Sequence, residues 1–246
     1  MNFLKNHPFA VEAFFDRSLV LTFAAPKELL QPFIPECLSL DTFNDKWAFM
    51  AMAMVQTSAL RPKGFPKFMG NDFFLIGYRI FVRYTDNRGR RLRGLYILKS
   101  ETDKKKMEFL GNIFTHYQYT TTDVRQSTNG HVRTIASTHS GFHVTVERTD
   151  DAPFIPLPQN SPFSDWKDAQ KFAGPLPYTF TYNEVPKTVL IIEGVRQHWK
   201  PRPVRVRQCH VGFLDTLNLG QAVLASAFEL TNIPYYWKKG RIEKWD

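Results

Sequence analysis

The segment Asp72 to Leu98, DFFLIGYRIFVRYTDNRGRRLRGLYIL, constrains the fold of this chain more than any other. Phe74, Ile76, Tyr78, Ile80, Val82 and Tyr84 share one parity, the signature of a long strand with a buried face. Asp86-Asn87-Arg88-Gly89 supplies turn chemistry, and Leu92 to Leu98 returns as a second β-rich run, so the segment reads as a hairpin. The opposite parity carries Leu75, Gly77, Arg79, Phe81 and Arg83. An arginine in mid-strand between a glycine and a phenylalanine faces either water or a polar cavity, and the cavity is the expectation developed here.

Around this hairpin the chain reads as mostly strand. Ser18–Phe23, Trp47–Val55, Tyr117–Val124, His131–Ser137 paired with Gly141–Arg148, Tyr178–Tyr182, Thr188–Val195 and Arg202–Gln208 all carry β patterns. Short helices are expected at Pro26–Phe33, at Glu101–Phe114 behind a Ser100 cap, near Asp165–Phe172 and at Asn218–Leu230. Asp151 to Pro177, with six of the sixteen prolines, reads as a surface excursion. No repeat or composition break divides the 246 residues, so one domain over 1–246, mainly β in an α+β arrangement, is expected. Twenty-two phenylalanines supply bulk for broad sheet faces.

The net charge of +9 calls for an anionic partner or ligand. Arg88–Arg93, Lys104–Lys106 and Arg202–Arg207 are basic clusters, but they sit on a hairpin tip, a helix and a strand with no nucleic-acid motif around them. Solvated faces explain them, and nucleic acid is disfavoured. His139 and His143, four apart on strands, would stand roughly 13 Å apart, too far for one ion, so no metal is expected. His198 is equally at home as a ligand contact or as a satisfied, partly buried side chain. G-x-S-x-G, P-loop and dinucleotide motifs are absent, and no cofactor is expected. No run reaches the roughly 20 apolar residues of a membrane helix, and Cys37 and Cys209 lack metal spacing, so the expectation is a reduced, cytoplasmic protein without a membrane partner.

Asp16-Arg17, a strand, a short helix and then Pro35-Glu36-Cys37-Leu38-Ser39-Leu40-Asp41 resemble the opening of acetoacetate decarboxylase. Leu40-Asp41-Thr42-Phe43, Trp47-Ala48, Arg61-Pro62-Lys63-Gly64-Phe65-Pro66, Tyr78-Arg79-Ile80-Phe81-Val82 and Gly94-Leu95-Tyr96-Ile97-Leu98 are closer to a sister family of unknown function in the same superfamily. The resemblance covers about residues 9 to 120 and thins to echoes at Tyr178–Tyr182 and His198–Pro201. It implies an acetoacetate decarboxylase-like fold, with antiparallel sheets around a cone-shaped barrel, a few peripheral helices and a small-molecule cavity.

Decarboxylation in that superfamily uses a lysine whose amine is neutral near pH 7; this enzyme is itself a standard example of such a lysine. After Gly111, this chain places Tyr119 where the resemblance puts that lysine and Thr120 where it puts the lysine's neighbour, and Leu75 replaces the expected carboxylate. The residues left for a site are Arg17, Arg79 and Tyr117 as ligand contacts, with His116 and Tyr119 as acid–base candidates. The implied function is binding of a small carboxylate-type anion, with any catalysis of lyase or hydrolase type and not through a Schiff base. A basic nucleic-acid-binding domain and a structural protein with a filled barrel are the alternatives, and self-association into a homo-oligomer stays open. Arg17 and Arg79 would be purely structural if paired with Asp16, Glu12 or Glu193.

Overall fold

The computed structural model describes residues 2–148, 155–173 and 176–245. Strands β1 (Val11–Pro26), β2 (Ser39–Leu40), β3 (Trp47–Pro62), β4 (Asn71–Thr85), β5 (Arg91–Thr102), β6 (Tyr119–Thr121), β7 (Arg125–Asn129), β8 (Val132–Ser137) and β9 (Phe142–Glu147) occupy the first part of the chain. They are followed by β10 (Tyr178–Asn183), β11 (Thr188–Arg196), β12 (Arg202–Pro203), β13 (Arg205–Val211), β14 (Val223–Trp237) and β15 (Arg241–Lys244). The helices are α1 (Asn2–Lys5), α2 (Lys27–Leu30), α3 (Lys105–Phe114), α4 (Trp166–Ala173) and α5 (Gly212–Thr216). None of the described helices is long and apolar enough to cross a membrane.

Eleven strands form one mixed sheet whose path runs β12-β14-β1-β3-β4-β5-β10-β11-β15, with β2 and β6 attached to β4 and β5. Its flanks meet where Gly194, Val195 and Arg196 of β11 pair with Trp237, Tyr236 and Tyr235 of β14. Beyond that contact β11 turns to β15 and β14 to β12. The expected cone is therefore joined at one end and splayed along the rest, not a closed barrel. β13-β9-β8-β7 make a second, four-stranded sheet.

Long strands covered on both sides explain the apolar density. One face buries Leu19, Leu21, Met50, Met52, Met54, Ile76, Tyr78 and Ile80 against Ile135, Phe142, Val144 and Val146 of the small sheet. The opposite face divides in two. Phe73, Leu75, Ala53 and Val55 pack with Met107 of α3 and with Tyr119. Phe49, Ala51 and Phe81 pack with Phe163 and with Phe172 of α4. A register shift between Phe15 and Arg17 inverts the parity of β1: Ala13 and Phe15 lie on the α3 side, Leu19 and Leu21 on the small-sheet side. One bulged residue is enough to swap the faces of everything beyond it.

Two expectations are corrected. The helix expected at Asn218–Leu230 is a turn followed by β14, because residues 225 to 230 are buried on both faces and pair with β1. A doubly covered strand has no alternation, so its apolar run imitates a buried helix. The Ser100 cap is also displaced, since β5 runs to Thr102 and α3 starts at Lys105 with no side-chain cap. The helix expected near Asp165–Phe172 is α4. Of the excursion expected at Asp151 to Pro177, residues 151–154 and 174–175 lie outside the described residues.

Candidate functional site

Arg79 lies on the α3 side of β4, facing the pair Ala51 and Ala53 across β3 through the partners Arg79–Ala51 and Gly77–Ala53. These small residues leave room for a guanidinium. It folds back over Gly77, where an added Cβ would stand 2.7 Å from Arg79 Nε and 2.9 Å from Nη2. Any side chain at position 77 would displace it. The Nε atom is buried without a hydrogen-bond partner, and among the described residues Arg79 has no carboxylate partner.

A second guanidinium stands close enough to Arg79 to repel it. Arg196, at the end of β11, has a buried Nη2 without a hydrogen-bond partner. Its guanidinium stacks over Trp199 at 4.6 Å and Tyr235 at 5.4 Å. Burial is the main influence lowering the pKa of both arginines; at Arg79 the phenols of Tyr235, Tyr119 and Tyr117 oppose it and Arg196 adds to it. Guanidinium pKa values start high enough that both groups remain charged. Two desolvated cations without a carboxylate are costly unless an anion joins them.

Three tyrosines surround the pair. Tyr235 is the direct cross-strand partner of Arg196 and stacks on Phe15 at 4.7 Å. Tyr119 is held by its backbone: its amide donates to Asn112 Oδ1 at 2.8 Å and its carbonyl accepts from Asn112 Nδ2 at 2.9 Å. Its ring lies where Gly111 of α3 leaves space, an added Cβ there falling 2.4 Å from the ring. Tyr117 stands next to it, ring centroids 6.4 Å apart.

Burial pushes the Tyr119 phenol up to about 12, with Arg79 pulling the other way. Burial likewise raises Tyr117. Both rings are therefore neutral hydrogen-bond donors at neutral pH and poor bases. The unfolded phenol, near 10, ionises first as pH rises, so folding stability falls between pH 10 and 12. Over that window the wild type is expected to lose about 1.4 kcal/mol per pH unit more than Tyr119→Phe, measured by urea unfolding. Parallel curves for the two proteins would refute the burial of this phenol.

Tyr117 and Tyr119 also form the wall of a cavity of about 300 Å³, whose other sides include Phe73, Leu75, Met107, Leu110 and Trp237. Arg79 thus stands near Tyr117 and Tyr119, and Leu75 lines the chamber together with the two tyrosines.

Arg17 does not join them. The bulge in β1 places it on the other face of the sheet, where its Nε lies 3.4 Å from Glu229 Oε1. Glu229 is buried and also holds Arg133 Nη1 at 3.1 Å and Arg148. The acids named as partners are otherwise engaged: Glu12 with Arg61, Glu193 with Lys238, and Asp16 accepting from Ser58. His116 lies off the chamber, with Nε2 3.4 Å from Asn6 Oδ1, and burial lowers its pKa, reinforced by Lys5.

Arg196 and Tyr235 were not picked out by sequence reasoning. The available hint was the echo at His198–Pro201, two residues beyond Arg196; nothing marks Tyr235. Of the basic clusters, Arg90 pairs with Asp86, Arg93 with Asp41 and Arg207 with Glu147. Among the described residues no group of three or more His, Cys, Asp or Glu side chains is placed to hold a metal ion.

A splayed, mostly antiparallel sheet with a small-molecule-sized chamber under one helix is an acetoacetate decarboxylase-like fold. Residues 13–228 match the family model DUF2071, described as "Uncharacterized conserved protein (COG2071)", and the chain belongs to that family. The fold is similar to acetoacetate decarboxylase from Legionella pneumophila subsp. pneumophila str. Philadelphia 1, at TM-score 0.60 and 11% identity over 94% of this chain and 87% of that one. It is similar to an acetoacetate decarboxylase-like enzyme from Sphingomonas wittichii RW1, at TM-score 0.53 and 11% identity over 96% and 91%. The enduracididine biosynthesis enzyme MppR complexed with pyruvate matches at TM-score 0.51 and 10% identity over 96% and 90%. No curated protein matches the sequence.

Proposed function

We propose that this protein binds a small carboxylate, held between the guanidinium groups of Arg79 and Arg196 and hydrogen-bonded by the phenols of Tyr117 and Tyr119. The observation that carries this reading is the pair of neighbouring guanidiniums, each with a buried nitrogen that lacks a hydrogen-bond partner and, among the described residues, with no acidic partner. A carboxylate offers a planar pair of acceptors to such donors. The pyruvate bound to MppR, a protein of like fold, is consistent with a ligand of this class.

The reading is one of binding without a Schiff base. Tyr119 stands where the resemblance puts the lysine, and no lysine is among the described residues that line the chamber. The neutral Tyr119 phenol is suited to donating a proton or hydrogen bond to a developing oxyanion, so any chemistry would be acid catalysis from that position. His116 would act only through a rearrangement that brings it to the chamber.

Two measurements with pyruvate test this. Calorimetric titration is expected to show saturable binding that weakens with added salt. Borohydride reduction in the presence of pyruvate is expected to leave the protein mass unchanged. A covalent adduct would replace the Tyr119 reading with a lysine mechanism, and the absence of binding by pyruvate and by longer carboxylates alike would remove the carboxylate site.

A further inference from the structure

We infer that the ligand is an amphipathic carboxylate, whose apolar body of several carbons fills the chamber beneath α3 while its carboxylate meets Arg79. This rests on the carboxylate reading above and goes further by naming the rest of the molecule.

Three observations carry it. First, the charged and apolar parts of the site adjoin through shared side chains, while Arg79 itself lies outside the chamber lining. The Arg79 guanidinium folds back over Gly77, towards Leu75 on the same strand face, and Leu75 lines the chamber. Tyr117 and Tyr119 touch both regions, acting on Arg79 electrostatically and forming the chamber wall.

Second, among the described residues the chamber offers a ligand body no free charge. Phe73, Leu75, Met107, Leu110, Phe114 and Trp237 supply its walls. The one guanidinium in its lining, Arg61, is committed to Glu12 at 2.6 Å and to the carbonyls of Phe65 and Ala59. The polar atoms Thr57 Oγ1 and His7 Nδ1 are buried within the walls and out of reach. Such a space is a poor host for water, which needs two to four polar partners.

Third, the size is wrong for a two- or three-carbon acid. The volume of about 300 Å³ corresponds to roughly ten water-sized groups at ~30 Å³ each. A pyruvate on Arg79 would leave most of it empty, whereas an eight- to ten-carbon acyl or aryl carboxylate would occupy it.

The test is a calorimetric series on the full chain with straight-chain carboxylates from acetate to dodecanoate, kept below their micelle concentrations. Affinity is expected to rise about fourfold per added methylene and to level off where the chamber is full, at about eight to ten carbons, with the heat-capacity change becoming more negative along the series. Leu110→Trp, which fills the chamber from α3, is expected to make the series level off at a shorter chain length. The length at which the wild-type series levels off gives the same information without a variant. Arg79→Met is expected to weaken every member. A flat, Arg79-dependent series would overturn the apolar body and leave the carboxylate site standing. A rising series insensitive to both substitutions would mean binding elsewhere and overturn the inference. No binding by any member would overturn the inference together with the reading beneath it.

Discussion

Arg79→Met is expected to weaken carboxylate binding by about 100-fold and, in the same protein without ligand, to raise the melting temperature. The two effects have one cause. Arg79 is desolvated beside Arg196, its Nε lacks a hydrogen-bond partner, and no acid among the described residues neutralises it. Truncating one side of a buried charge pair costs roughly 2–5 kcal/mol of binding, most of it from stranding the other charge. Without ligand, Arg79 is the stranded charge. Methionine keeps much of the volume and removes the penalty, for which a gain of about 1–2 kcal/mol is reasonable by analogy with buried ionic groups replaced by apolar ones. For a chain of this size that corresponds to roughly 2–8 °C. Titration calorimetry and a thermal melt on one preparation read both quantities. A fall in melting temperature with unchanged carboxylate affinity would identify Arg79 as a structural residue and end the case for the site.

Glu229→Gln is expected to do the reverse, costing about 3–5 kcal/mol of stability, measured by urea unfolding, without changing carboxylate affinity in the folded fraction. Glu229 sits at 5% side-chain exposure among Arg17, Arg133 and Arg148. Arg133 is itself buried, and its pKa is lowered chiefly by burial and by the charge of Arg17, with Glu229 opposing. Removing the single negative charge leaves three guanidiniums facing a neutral amide, which is the broken buried pair that costs most. The contact also joins the two sheets, since Arg133 belongs to β8 and Glu229 to β14. Arg17→Gln is a milder change because Arg17 is 34% exposed and water screens its pairing. A Glu229→Gln protein as stable as the wild type would show that the cluster contributes nothing net.

The opposite fates of Arg17 and Arg79 show where local reading stops. Both follow β patterns and both were expected in one cavity, but only Arg79 stands near the tyrosines that line the chamber. The difference is the bulge between Phe15 and Arg17, a single extra residue with no composition signal, which sends Arg17 to the face opposite Phe15. The hairpin of β4 and β5 was legible for the opposite reason: six alternating apolar positions and a four-residue turn leave one register that buries them. The sequence from Asn218 to Leu230 was misread because a strand covered on both faces loses its alternation, so its length and apolarity fit a helix equally well. Tyr117 and Tyr119 were found by their distance from Gly111; Arg196 and Tyr235, more than 75 residues further along, reach the site only through the pairing of β11 with β14.

From its sequence alone this chain determines a mostly β architecture, the central hairpin and an arginine facing away from the main core. Those follow from period, turn chemistry and residue identity, which act over a few neighbours. Tertiary structure decided which arginine found an acid among the described residues and which did not, that a second guanidinium stands near the first, and that the neighbouring chamber is apolar. Charge neutralisation and cavity shape depend on side chains separated by as many as two hundred residues, and only the register between strands fixes which of them meet.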